Sequence, residues 1–190
     1  MQLKGSQTEK NLLAAFAGES QARNRYTYFA SQARKEGYEQ IAWVFQDTAD
    51  NEKEHAKIFF QLLEGGEVLI QASYPAGKIG DTAANLKAAA DGENLEWTTL
   101  YQNFAEVAKK EGFEGAYQAF TQISKVEKAH EARYLALLKN LQQGTVFKKP
   151  SAVKWHCRNC GLVLEGTSAP EKCPVCDHPK AFFEILAENY

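Results

Sequence analysis

The feature that most constrains this chain is a pair of Glu-x-x-His motifs, Glu52/His55 and Glu127/His130, placed 75 residues apart inside two apolar seams. The first seam runs Ile41, Phe45, Thr48, Glu52, His55, Phe59, Leu62, and the second Ala116, Phe120, Ile123, Glu127, His130, Tyr134, Leu137. Steps of four and three put every member of a seam on one face of a helix, so both motifs point toward a core. The same offset carries Lys35-Glu36-Gly37-Tyr38-Glu39 onto Lys110-Glu111-Gly112-Phe113-Glu114. Two unrelated amphipathic helices would share apolar positions but not charged ones, so the repeat is read as a duplicated helical hairpin.

Capping and breaking residues set the helix limits. Ser6 with Glu9 three residues later forms a capping box, and Gly37 stops the first helix. A second helix is predicted from about residue 38 to 64, ended by Gly65-Gly66. Pro75, Gly77 and Gly80 mark residues 67–80 as a long connection, and Asp81 or Thr82 caps a third helix that ends near Gly112. The fourth helix is predicted from about 113 to 143, before Gly144. Two tight turns and one long crossover describe an all-α ferritin-like four-helix bundle rather than an up-down bundle with three short loops. The expected organisation is a bundle over 1–145, a linker over 146–152 and a small metal-knuckle domain over 153–190.

Three further carboxylates join the two motifs. Glu19 lies on the first helix stripe between Phe16 and Tyr26, while Glu93 and Glu96 share a side of the third helix with Ala89 and Leu100. Ionised carboxylates in an apolar interior cost several kcal/mol each and repel one another, so cations must compensate them. Two ferrous ions bring charge +4 and two ferric ions +6 against the −5 of Glu19, Glu52, Glu93, Glu96 and Glu127. Oxygen donors with two imidazoles suit iron or manganese, and i, i+3 spacing brings Glu and His to one side of a helix. One Glu from each of two helices plus Glu-x-x-His from each of the other two is the pattern of di-iron carboxylate bundles, with Glu96 as an addition. For Glu19 an i, i+4 pair with Arg23 is the bland role, one compatible with ligation. Tyr26 and Tyr101 fit either as core aromatics or as hydrogen-bond donors to ligand carboxylates. Gly18 and Gly92, each preceding such a Glu, are read as close-packing positions.

All four cysteines fall in two Cys-x-x-Cys pairs, Cys157/Cys160 and Cys173/Cys176, within a segment too short to bury an adequate core unaided. A bound metal would supply the missing stability. Tetrahedral sulfur suits zinc and mononuclear iron equally, so the spacing leaves them open. Four thiolates complete the tetrahedron, which assigns His156 and His178 to surface or hydrogen-bonding roles.

Composition excludes several classes. A net charge of −2 gives no basic footprint for nucleic acid or an anionic membrane. The N-terminal residues lack a secretory apolar core and no window approaches a membrane span. A cytoplasmic protein is expected.

Taken together the motifs resemble the rubrerythrin family over nearly the whole chain. The resemblance rests on Gly18-Glu19-Ser20-Gln21-Ala22-Arg23-Asn24-Arg25-Tyr26, Glu52-Lys53-Glu54-His55-Ala56, Glu93-Asn94-Leu95-Glu96, Glu127-Lys128-Ala129-His130-Glu131 and the two cysteine knuckles with Gly161 and Pro174. It implies a peroxidase reducing hydrogen peroxide to water, iron in a rubredoxin-like four-cysteine module, and electrons from rubredoxin or an NAD(P)H-dependent reductase. It also implies that one iron exchanges Glu96 for His55 as its oxidation state changes. A ferroxidase or O2-reducing oxidase, and an iron-storage or zinc-ribbon scaffold, are the alternative readings. His130 precedes Gln143 by 13 residues, roughly 20 Å of helix. A homodimer is therefore expected, with the module of one chain near the di-iron site of the other.

Overall fold

The computed structural model describes residues 2–189; Met1 and Tyr190, the outermost residues of the two expected units, lie outside it. Helix α1, Gln7–Lys35, begins at the anticipated cap: Ser6 Oγ accepts from the Glu9 N–H at 3.0 Å, and Glu9 Oε2 accepts from the Gly5 N–H at 2.6 Å. It pairs with α2, Glu39–Gln61. After a crossover, α3 (Thr82–Leu95), a π-helical segment (Glu96–Leu100) and α4 (Tyr101–Lys110) form one rod that packs on α5, Glu114–Gln142. Both hairpins turn at a glycine with positive φ, +83° at Gly37 and +78° at Gly112, a conformation that penalises a Cβ. The fold is the ferritin-like bundle with one long crossover.

The two hairpins cap each other. Glu36 Oε2 accepts from the Thr82 N–H at 3.0 Å, and Glu111 Oε2 accepts from the Thr8 N–H at 2.8 Å. Each carboxylate sits at the positive end of the helix opening the other hairpin, where unpaired N–H groups need acceptors.

The interior is layered. Tyr26, Phe29, Phe45 and Tyr134 form one aromatic layer, and Phe59, Tyr101, Phe104 and Phe120 another. In α2 the pair Glu52/His55 lies between Phe45 and Phe59; in α5 the pair Glu127/His130 lies between Phe120 and Tyr134. The polar band is thus closed off above and below by rings that exclude water.

The third helix departs from expectation. The sequence places Glu93 and Glu96 on one side with Ala89 and Leu100, but the buried face runs Leu86, Ala89, Glu93 and then Tyr101, Ala105 and Ala108, while Leu100 is only partly buried. The cause is one extra residue. Thr8, Asn11, Leu12, Ala15, Gly18 and Glu19 match Thr82, Asn85, Leu86, Ala89, Gly92 and Glu93 at an offset of 74, whereas Tyr26, Ala30 and Ala33 match Tyr101, Ala105 and Ala108 at 75. The register jumps where the backbone is π-helical, with the Tyr101 N–H bonded to the Glu96 carbonyl five residues back. A π-bulge accommodates an insertion in this way and recurs at functional sites. The Trp97 carbonyl accepts instead from Ser124 Oγ at 3.2 Å and Gln102 Nε2 at 3.1 Å. Glu131 of α5 accepts from Trp97 Nε1 at 2.5 Å and Asn94 Nδ2 at 2.9 Å, which pins the bulge to α5.

The C-terminal unit is a three-stranded antiparallel sheet in the order β2-β1-β3, with β1 Lys148–Cys157, β2 Val163–Ser168 and β3 Phe183–Ile185. Its core is Trp155, Ala169 and Phe183 with Cys157 and Cys173. Strand β1 begins at Lys148, within the stretch read as a linker, because its first residue already pairs with Ser168. The sheet leans on the start of α2: Tyr38 stacks on Phe147 at 6.0 Å, and the Arg158 guanidinium lies 5.2 Å from the Trp43 ring.

Removal of the exposed Thr99 should return the rod to one α-helical register and the repeat to a single offset. The expected product keeps the far-UV helical spectrum and binds two metal ions per bundle. Loss of the bundle would show that folding itself requires the bulge.

Candidate metal centre

Local helix geometry delivers the carboxylates and imidazoles to one place. Glu19, Glu52, Glu93 and Glu127 are at most 1 % exposed, and His55 and His130 are 6 % and 4 % exposed. Two groups of donors form. In one, atoms of Glu19, Glu52, His55 and Glu127 lie within 4.8 Å of each other; in the other, atoms of Glu52, Glu93, Glu127 and His130 do so. Glu52 and Glu127 belong to both, which places them between two centres. Glu96, on the first residue of the π segment, belongs to neither group and is half-buried at the edge of a cleft.

His55 Nδ1 hydrogen-bonds Glu52 Oε2 at 2.8 Å, but most of the other donor atoms converge without bonding one another. His130 Nδ1 is 2.8 Å from Glu127 Oε2 and 3.2 Å from Glu52 Oε1, yet none of these three atoms has a partner with hydrogen-bond geometry. Glu19 Oε2 and Glu93 Oε2 are likewise buried without partners. Orphaned buried oxygens are costly, and their convergence is what a pair of hard cations requires. The other oxygens are held by tyrosines: Tyr26 Oη donates to Glu93 Oε1 at 2.6 Å and Tyr101 Oη to Glu19 Oε1 at 2.5 Å. The role left open for these two residues is therefore orientation of carboxylates. Their 75-residue separation was the signal that could have identified them as a matched pair. Arg23 does not pair with Glu19; its Nε is buried and unbonded. Asn51, which sequence reasoning passed over, holds the outer nitrogen of His130, with Oδ1 at 3.1 Å from Nε2.

Protonation reports the same excess of negative charge. Burial, then the charges of Glu52, Glu127 and Glu96, raise Glu19 and Glu93 well above the usual carboxylate range, against the tyrosine hydrogen bonds. Burial, then Glu127 and Glu52, push Glu96 up to about 8, opposed by Arg25 and His55. Burial alone would lower the imidazoles, but Glu127 and Glu52 outweigh it and hold His55 at about 10 and His130 at about 9. Burial would raise Glu52, yet the two histidines keep it at about 2. Without metal, imidazolium protons stand in for cations.

The cysteine site has the dimensions of a tetrathiolate. Cys157 and Cys176 sulfurs are 3.8 Å apart, and those of Cys160 and Cys173 3.6 Å. A tetrahedron with metal–sulfur bonds of about 2.3 Å has edges of about 3.8 Å, whereas a disulfide is about 2.05 Å. Both knuckles close on a residue with positive φ, Gly161 and Asp177, whose N–H groups donate to the Cys157 and Cys173 carbonyls at 2.9 and 3.0 Å. The His178 N–H holds the Cys176 thiol down to about 6. As expected of histidines outside the tetrahedron, His156 contacts Glu184 and His178 the Cys176 carbonyl.

A four-helix bundle that converges carboxylates and imidazoles on two centres, joined to a four-thiolate sheet, defines a di-iron carboxylate protein with a rubredoxin-like module. Family models agree: residues 10–138 match "Rubrerythrin" and residues 155–184 match "Rubrerythrin, rubredoxin-like domain". The chain belongs to the rubrerythrin family. It is 61 % identical to a rubrerythrin of Porphyromonas gingivalis over 188 residues, covering 99 % of this chain and 94 % of the relative. It is 55 % identical to one from Nitratidesulfovibrio vulgaris, covering 99 % and 98 %. Among solved structures, mixed-valence nigerythrin aligns at TM-score 0.62 and 32 % identity over 96 % of this chain and 90 % of that one. A Desulfovibrio desulfuricans bacterioferritin, at 22 % identity and TM-score 0.64 over 73 % and 81 %, shares the fold. No helix among the described residues is long and apolar enough to cross a membrane.

Metal uptake must displace the imidazolium protons. At pH 7 ferrous ion added to metal-free protein is expected to release more than two protons per di-metal site, from His55 and His130 and from the carboxyls whose values burial and neighbouring charge raise, with affinity falling as pH falls. The sign for stability follows from the raised imidazole values. In metal-free protein the histidines contribute fully below about pH 6.5, their unfolded value, and that contribution is lost as pH rises through about 9 to 10. Denaturant titrations between pH 7 and 10 should show metal-free protein weakening and metal-loaded protein not; parallel curves would contradict the assignment.

Proposed function

We infer that this protein is a non-haem di-iron peroxidase that reduces hydrogen peroxide to water in oxidative stress defence. The observation that carries this reading is Glu96: a carboxyl group on an inserted π segment, outside both donor groups, at the edge of an open cleft. When bound, two ferrous ions supply the two electrons that cleave an O–O bond. The remaining work falls to side chains. Glu52 and Glu127 would bridge; Glu19, Glu96 and His55 would serve one ion, and Glu93 and His130 the other. Tyr26 and Tyr101 fix the carboxylates they bond, and the aromatic layers keep bulk water from the centre. Glu96, free of such a clamp, can hold a proton at the cleft and pass it to the departing oxygen. Release of His55 in exchange for Glu96 would let this carboxylate follow the oxidation state of its ion.

The cysteine module supports an electron-relay role, with iron as the metal and rubredoxin or an NAD(P)H-dependent reductase as the cytoplasmic source. Within one chain the module rests on Trp43, while Glu52 and His55 lie 9 and 12 residues further along α2, about 14 and 18 Å of helix. A homodimer that sets the module of one copy beside the di-iron site of the other would shorten that path.

Replacing Glu96 with Ala should lower peroxide turnover about 100-fold while the ferric tetrathiolate absorption persists; unchanged turnover would remove Glu96 from the mechanism. Dilution below the dimer dissociation constant should abolish turnover driven through the cysteine module. Comparison of peroxide with O2 as oxidant at steady state separates this reading from a ferroxidase or oxidase.

A further inference from the structure

Between α1, the crossover and the α3–π rod lies a cleft of about 240 Å³ whose lining includes Glu96. The volume exceeds what hydrogen peroxide needs, since a water molecule's share of the liquid is about 30 Å³ and an apolar cavity of about 150 Å³ admits benzene. Most of its wall is apolar, with Ala14, Leu95, Leu100, Phe104 and Pro75, while Gln21, Gln71 and Ser73 add polar groups, and Tyr74 is held across it by a 3.1 Å hydrogen bond from its hydroxyl to the Ala14 carbonyl. The apolar part of the wall is surface that hydrogen peroxide does not use and that favours a hydrocarbon group.

Polar groups gather at one end, beside the metal centre. Glu96 is joined there by Arg25, whose Nε is buried without a hydrogen-bond partner. Gly92 makes room for it: a Cβ at that position would stand 3.2 Å from Arg25 Nη2. The glycine read as a packing position thus admits a guanidinium to the cleft. One charged end and one apolar chamber describe a ligand with a reactive polar head and a hydrocarbon tail.

We propose that this cleft binds organic hydroperoxides, with the –OOH group at Glu96 and Arg25 and the hydrocarbon substituent against Ala14, Leu95, Leu100 and Phe104 beneath Tyr74. The activity rests on the peroxidase reading above; the binding site does not. In the reaction the O–O bond of ROOH breaks, each oxygen takes one of two electrons from the reduced di-iron site, and two protons, one through Glu96 and one from solvent, give ROH and water. Groups up to the size of a cumyl substituent fit the chamber.

The test uses full-length iron-loaded protein, with cumene hydroperoxide and hydrogen peroxide as oxidants and cumyl alcohol, the expected product, as a ligand in equilibrium dialysis. Saturable binding of one cumyl alcohol per chain is expected. Ala14→Trp, which fills the chamber from α1, and Ala72→Trp, which fills it from the exposed crossover, should each abolish that binding. Each should also lower the ratio of kcat/KM for cumene hydroperoxide to that for hydrogen peroxide at least tenfold. Absence of saturable binding, or a ratio unmoved in whichever variants fold, overturns the proposal. Binding of the alcohol without turnover of either peroxide overturns the peroxidase reading and the reductive step, while upholding the cleft as the binding site.

Discussion

The rest of the structure depends on one electrostatic constraint: carboxylates buried in a space that water cannot reach must be balanced by cations held in the same space. Glu19, Glu52, Glu93 and Glu127 are almost wholly buried, and an apolar core of this geometry would be more stable without them unless positive charge accompanies them. Imidazolium protons balance part of the charge in the metal-free chain, and two metal ions would balance nearly all of it. The aromatic layers on either side serve this balance. By lowering the local dielectric they strengthen every charge interaction within the band, attractive and repulsive alike.

The duplicated hairpin makes such a site economical to encode. Each half supplies one Glu-x-x-His, one further Glu and one Tyr that bonds the Glu of the opposite half, so a single hairpin pattern used twice generates six donors around a pseudo-twofold axis. The reciprocal caps from Glu36 and Glu111 show the same symmetry at the bundle's ends. The symmetry fails at one place. The single residue inserted in the second half opens a π segment whose first residue is Glu96, a carboxylate with no counterpart in the first hairpin. It faces a cleft instead of a tyrosine clamp. Asymmetry between the two centres thus arises from one residue of chain length, and Ser124 and Glu131 on α5 stabilise its consequence.

The cysteine module presents the contrasting solution. It holds its metal site with very little core, relying on two knuckles whose left-handed closing residues, Gly161 and Asp177, bond back to the carbonyls of Cys157 and Cys173. The bundle buries its charge in a dry interior, whereas the module buries Cys157 and Cys173 but leaves Cys160 exposed and Cys176 partly exposed.

Periodicity and spacing in the sequence determined the bundle, both Glu-x-x-His pairs, the inward Glu19 and Glu93, and the four thiolates, because these follow from helical geometry and ligand number, which are local. The change of offset from 74 to 75 was also written there, but recognising it as a π-bulge required the backbone. Tertiary structure alone decided that Tyr26 and Tyr101 bond Glu93 and Glu19, that Arg25 enters the space left by Gly92, and that Glu96 stands apart from both donor groups. Those facts depend on which residues from distant helices come within a few ångströms of each other. A helical pattern states which face turns inward, not what it meets there.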